Sequence, residues 1–123
     1  MRPDERLDAW GVCHELTVQV YRATAAWPPD EVYGLAAQAR RVTFAAAVYI
    51  ANDPPVSDPV RRRFRLERAL ECVGKLRYAL LLAHELGYMP TDNWEALGRL
   101  AARVEELVRD SLVQIITSPR LLR

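Results

Sequence analysis

The sequence has few of the residues from which proteins build covalent, metal or phosphate sites. Among its 123 residues are two cysteines, two histidines and five glycines. Cys13 and Cys72 lie in different predicted helices and lack metal-type spacing, so we expect buried free thiols in a reducing compartment. The glycines are scattered along the chain, which excludes a glycine-rich loop that cradles phosphate.

A long apolar run and a strong net charge are also missing. Apolar runs such as Tyr78 to Ala83 are far too short to span a bilayer. The first residues are charged and lead into an amphipathic helix, unlike the apolar stretch of a signal peptide. With a net charge of only +1, the whole molecule has no strong pull on nucleic acid or membranes. We therefore expect a cytoplasmic protein without a membrane partner.

Catalytic and metal-binding patterns are absent from the predicted helices. A di-iron bundle needs a Glu-x-x-His step on two helices, but His14 follows a glycine and His84 a leucine at that spacing. Cys13 and His14, adjacent on a helix, would point about 100° apart and form no dyad. The sequence spacing gives no support for a mixed metal site made of Cys13, His14, Cys72 and His84. We predict no enzyme, no metal and no cofactor.

Proline-containing breaks divide the chain into four stretches with helical spacing of apolar residues. The breaks lie at residues 27–29, 52–59 and 88–91. The predicted helices cover about 4–26, 30–51, 59–86 and 92–117. Because short connections favour antiparallel neighbours, we predict an all-α fold, an antiparallel up-down-up-down four-helix bundle that forms one domain over residues 1–123.

Capping residues predict where these helices begin and end. Asp30 is the expected N-cap of the second helix, and Asp58 that of the third. Thr91 or Asp92, with a glutamate at position 95, predicts a capping box for the fourth helix. Gly87 is the expected end of the third helix.

The second and third predicted helices carry more apolar and small side chains than one bundle buries. Alanines point in several directions round the second helix, and two adjacent leucines broaden the apolar stripe of the third. This surplus predicts self-association. The two arginines that interrupt the alanines either pair between subunits, for example with Glu31 of another copy, or contact an anion. The candidate subunit-interface residues are Arg40, Arg41, Ala45, Leu81 and Leu82.

Positive charge is concentrated at the start of the third predicted helix. From Pro59 to Arg77 there are seven basic and two acidic residues, a local charge of +5. This segment either grips a phosphate backbone or is a solvated helix end whose arginines pair with acidic neighbours. Repeated round a symmetric ring, it would become a multivalent basic surface. The candidate nucleic-acid-binding residues are Arg61, Arg62, Arg63, Arg65 and Arg68.

Residues in both halves of the chain resemble a known family. The run Trp27-Pro28, Glu31-x-Tyr33-Gly34-Leu35 and Gln38-x-Arg40-Arg41 is similar to the four-helix-bundle proteins encoded in intervening sequences of bacterial 23S ribosomal RNA genes. The segment Leu80-x-x-Ala83-x-x-Leu86-Gly87-Tyr88 is similar too. The family's Asn-Ile-Ala-Glu-Gly segment differs here, reading Tyr49 to Asp53. Lys75 to Tyr78 looks more like the accessory variability determinants of diversity-generating retroelements, which share the bundle.

The resemblance implies a homopentamer of bundles round a central channel. The family it points to has no established enzymatic activity, and its genetic context connects it with RNA. The retroelement proteins are strongly basic and bind nucleic acid and a reverse transcriptase, which a net charge of +1 fits poorly. The predicted function is a non-enzymatic homopentamer that presents a repeated basic surface to structured RNA or a nucleoprotein. The alternatives are a protein-binding scaffold and a retroelement accessory protein that engages a reverse transcriptase.

Overall fold

The computed structural model describes residues 3–52, 54–55 and 57–117, with side chains in α1 from residue 8 onward. All regular secondary structure in these residues is helical, which confirms the all-α prediction. The helices are α1 (Pro3–Thr24), α2 (Leu35–Ala51), α3 (Pro59–Glu85) and α4 (Thr91–Ile116), with a short 3-10 turn at Pro29–Glu31. The ends of the predicted domain, residues 1–2 and 118–123, lie outside the described residues.

Each helix packs mainly against its neighbours in the chain, and the first helix also packs against the last. The principal contacts are α1 with α2, α2 with α3, α3 with α4, and α1 with α4. A closed ring of sequential neighbours joined by short turns is the up-down-up-down bundle that the sequence predicts.

The core stripe of α3 shows how the bundle buries its apolar residues. Fully buried side chains recur along α3 at steps of three and four residues, the spacing of one helix face. They are Leu66, Ala69, Val73, Leu76, Leu80 and Ala83. Leu86, three residues after Ala83, does not continue this stripe: it lies just beyond the end of α3 at Glu85 and is 53% exposed.

The start of α2 differs from the sequence prediction. Asp30 is not its N-cap, since α2 begins at Leu35, after the 3-10 turn. The carboxylate of Glu31 reaches forward, and its Oε1 accepts a hydrogen bond from the Leu35 N–H at 3.1 Å. A Cβ atom on Gly34 would lie 2.6 Å from that oxygen. Glycine at this position therefore leaves room for Glu31 to satisfy a free N–H of the first turn.

The ends of α3 and the starting residue of α4 follow the predictions, whereas the cap of α4 does not. The Asp58 side chain accepts a hydrogen bond from the Arg61 N–H at 3.2 Å. Gly87 has φ +78°, and the N–H of Tyr88 donates to the Ala83 carbonyl at 2.9 Å, which is the Schellman arrangement. The capping box predicted at Thr91 or Asp92 is wrong, because α4 is preceded by Pro90 at the N-cap and has no side-chain cap.

The two cysteines are free thiols, as predicted. Cys13 is fully buried in the core, and Cys72 is half-buried. Burial raises the pKa of the Cys13 thiol to about 12, and burial also raises the pKa of Cys72. Because the thiolate is the reactive form, both side chains are protonated and poorly nucleophilic at neutral pH.

Candidate nucleic-acid interface and subunit surfaces

The five arginines predicted to bind nucleic acid do not share one face of α3. Arg61, Arg65 and Arg68 follow the spacing i, i+4 and i+7, which places them on one side of the helix. Arg63 falls between these steps and points to a different side. Arg62 occupies the apolar stripe four residues before Leu66 and is only 3% exposed. We call Arg61, Arg65 and Arg68 the arginine stripe.

Arg65 is held in the stripe by α2. Its guanidinium carbon lies 5.1 Å from the ring centroid of Tyr49, a cation–π distance. Its Nη2 donates to the Val48 carbonyl at 3.4 Å. Within the described part of the chain, Arg65 pairs with no carboxylate, and its Nε is buried without a hydrogen-bond partner. The guanidinium is therefore fixed in position, and none of the acids that the structure describes pairs with it.

The other exposed arginines at the start of α3 pair with acidic residues on or beside the same helix. These ion pairs are solvent-exposed and contribute about 0–1 kcal/mol each, so a polyanion can compete for them. They are Arg61–Asp58 at 3.9 Å, Arg63–Glu67 at 2.8 Å and Arg68–Glu71 at 2.6 Å. Both interpretations of the basic segment thus have a physical basis, and they apply to different arginines.

Arg40 contacts its own chain. It is half-buried, and its Nε donates to Thr24 Oγ1 at 2.7 Å while its Nη2 donates to the Tyr21 carbonyl at 3.2 Å. The guanidinium also lies 4.9 Å from the Tyr21 ring centroid. A cation bonded to a carbonyl of the last turn satisfies the C-terminal end of α1. Arg41 is exposed and donates to Gln38 on its own helix.

A groove between α3 and α4 contains one of the two leucines predicted at a subunit interface. Leu81 lines it together with Tyr78 and Trp94, over small residues of α4, Gly98 and Ala102. The groove encloses about 570 Å³. Tyr78 is 66% exposed. The groove is therefore a largely apolar surface on the outside of the bundle, and its lining also includes charged side chains of both helices.

The remaining predicted interface residues, Ala45 and Leu82, are half-buried. Large apolar side chains are exposed elsewhere on the bundle, and Tyr33, at 95%, is the extreme case. The others include Val32, Phe44, Val60, Phe64, Leu86 and Val113. Contiguous exposed apolar surface marks interaction sites when it is larger than a monomer normally shows.

Sequence reasoning missed a polar contact at the end of the bundle that carries the α1–α2 and α3–α4 turns. The Tyr88 hydroxyl donates to Glu31 Oε2 at 2.8 Å, while the other carboxylate oxygen caps α2. The Leu35 N–H and then the Tyr88 hydroxyl lower the pKa of Glu31. The hydrogen bond to Glu31 in turn raises the pKa of Tyr88. Both residues lie in the segments on which the family resemblance rests. A local sequence pattern could not have predicted their contact, because they are 57 residues apart.

We expect Tyr88→Phe to lower the urea midpoint of unfolding at neutral pH, with Tyr21→Phe as the control. Since the pKa of Glu31 is lowered by folding, its contribution is present above about pH 4 and is lost as pH falls through the lowered pKa. Since the pKa of Tyr88 is raised, its contribution is present below about pH 10 and is lost at higher pH. Urea titrations across that range should show the difference between variant and parent vanish at both extremes. A difference that is independent of pH would contradict this account.

The described residues hold no group of histidine, cysteine, aspartate or glutamate side chains that could bind a metal ion. His14 stacks on Trp10 with ring centroids 5.1 Å apart, and His84 stacks on Trp94 at 4.3 Å. Among the helices that the structure describes, none is both long and apolar enough to cross a membrane.

These features define the class of protein: a four-helix bundle that carries an arginine stripe on its third helix and a largely apolar groove on its outside. The family model of the 23S rRNA-intervening sequence protein matches residues 5–110, most of the chain. The chain belongs to this family, which confirms the resemblance in the sequence. The family is not known as enzymatic. A comparison with curated proteins gave no match.

Proposed function

We propose that this protein is a non-enzymatic, cytoplasmic homopentamer that binds structured RNA, free or in a nucleoprotein, through arginine stripes repeated round the ring. The observation that carries the proposal is Arg65, whose guanidinium is held by Tyr49 and a carbonyl of α2 but meets no carboxylate among the described residues. A cation that is already positioned loses little side-chain freedom when it meets a phosphate. Family membership supports a connection with RNA genes through the family's description.

Self-association is supported by the exposed apolar residues and by the α3–α4 groove. A ring interface joins two different patches of neighbouring copies, and exposed side chains such as Tyr33 and Val32 lie outside the groove that Leu81 and Tyr78 line. We expect light scattering at micromolar concentration to give a mass near five times the 14.0 kDa subunit. A monomer at that concentration would contradict the pentamer.

The RNA proposal is tested by fluorescence anisotropy with a structured RNA and a duplex DNA between about 50 and 200 mM salt, where phosphate-driven affinity falls steeply. We expect the triple variant Arg61→Ser, Arg65→Ser, Arg68→Ser to bind the RNA about tenfold or more weakly. Its salt dependence should flatten by about one unit for each arginine that no longer meets a phosphate. Arg62 is left unchanged, because a buried arginine contributes to folding.

The matched control removes three basic residues away from the stripe and the groove: Arg22→Ser on α1, and Arg103→Ser and Arg109→Ser on α4. This control changes the net charge equally and should keep most of the affinity. Equal losses in the two triple variants would mean that only overall charge matters, and unchanged affinity in the stripe variant would exclude the stripe. If the parent protein binds neither nucleic acid at low salt, an acidic protein partner becomes the leading explanation of the stripe.

A further inference from the structure

The aromatic residue within the arginine run is the feature that the proposed function leaves unexplained. Phe64 lies between the members of the arginine stripe in sequence and is 57% exposed. The guanidinium carbon of Arg68 lies 5.3 Å from its ring centroid. Contact with water does not stabilise an exposed phenylalanine ring. Here, however, the ring lies next to the three cations of the arginine stripe.

Phe64 also forms the wall of a surface pocket. The pocket encloses about 340 Å³ and is lined by Val60, Arg61, Phe64 and Arg65. Val60 is exposed as well. The pocket thus brings two apolar side chains together with two arginine side chains, and its volume is within the range of small-ligand pockets.

The chemistry of this pocket matches a nucleotide whose base is not paired. Every base has a π-face that stacks on an aromatic ring, and stacking tolerates any sequence. Arginines beside the ring supply the contacts for the flanking phosphates. Bases inside a duplex are covered on both faces by their neighbours, so only loops, bulges and single strands can present one.

A protein partner fits the same pocket less well. A subunit contact on Phe64 would also cover Arg61 and Arg65, because they line the same pocket. Arg65 pairs with no carboxylate among the described residues, and burying a charge without an opposite charge is costly. A phosphate supplies that charge.

We propose that Phe64 is a stacking site for an unpaired base of the bound RNA, with Arg61 and Arg65 holding the adjoining phosphates. The inference rests on the proposed RNA binding and names the part of the RNA that is recognised. It predicts that the protein prefers a hairpin with an open loop to a fully paired duplex of the same stem sequence.

The test compares these two RNAs by fluorescence anisotropy for the parent protein, Phe64→Leu and Phe44→Leu. Leucine keeps an apolar side chain but removes the ring, and Phe44 is a matched control because it is 59% exposed on α2. We expect Phe64→Leu to weaken binding of the looped hairpin about tenfold or more and to leave binding of the paired duplex unchanged. Phe44→Leu should change neither affinity.

The outcomes separate this inference from the proposed function. If the parent binds both RNAs and Phe64→Leu does not weaken the hairpin selectively, the stacking site is overturned while RNA binding stands. If the parent binds neither RNA at low salt, both are overturned. Circular dichroism of the variants checks that the exposed substitutions leave the bundle folded.

Discussion

Leu76→Ala is expected to lower the free energy of unfolding by about 2–5 kcal/mol, the largest effect that we expect from a single change in this bundle. Leu76 is fully buried at the middle of the α3 stripe. Truncation removes apolar contacts and leaves a cavity that the packed helices can only partly fill. Urea denaturation followed by circular dichroism measures the decrease.

The control for this prediction is Leu86→Ala. Leu86 has the same side chain but lies just beyond α3 and is more than half exposed. Its truncation should change stability by no more than about 0.5 kcal/mol. Similar decreases in the two variants would mean that the core is not where the structure places it. Both variants are compared at one protein concentration, since self-association adds to apparent stability.

Arg40→Ala is expected to cost about 1–3 kcal/mol of folding free energy. The change removes two hydrogen bonds from a charged donor and the cation–π contact with Tyr21. It also leaves the Tyr21 carbonyl, in the last turn of α1, without this donor. Arg40→Lys should recover only part of this free energy, because an ammonium group lacks the planar fork that reaches both acceptors. Thermal and urea unfolding of the three proteins measure these differences.

Arg41→Ala is the neighbouring control, since Arg41 is exposed and donates a hydrogen bond to Gln38 on its own helix. We expect it to cost no more than about 0.5 kcal/mol. If Arg40→Ala instead costs as little stability as Arg41→Ala, the prediction that these arginines act between subunits becomes the better explanation. In that case Arg40→Ala would lower the mass of the assembly and leave the unfolding of the subunit nearly unchanged.

The helices were predictable from the sequence because their apolar period and their breaks are local signals. Asp58 and Gly87 were predictable for the same reason, since an N-cap and a C-terminal glycine act within one turn. The start of α2 was not, because Glu31 caps it from four residues away across a glycine. The capping box predicted at Thr91 or Asp92 was wrong, because a matching sequence does not ensure that the side chain accepts a hydrogen bond from the N–H groups of the first turn.

The candidate site was predictable only as a charge cluster. The spacing of Arg62 from Leu66 places it on the apolar stripe, but its charge favoured a surface position. The partners of Arg65 and Arg40 lie on other helices, and a single sequence does not pair them. Phe64 could have been found from the sequence, since an aromatic residue inside an arginine run is a visible signal.

The Glu31–Tyr88 contact gives the subunit two unlike ends. It joins the α1–α2 and α3–α4 turns at one end, whereas the arginine stripe begins at the other, where α3 starts after the α2–α3 connection. A rotation axis keeps every equivalent residue at the same height. In a cyclic ring whose axis runs parallel to the helices, all the stripes would therefore lie towards one rim and all the joined turns towards the opposite rim. Such an assembly would have two different faces, and a polyanion would bind only to the face that carries the arginine stripes.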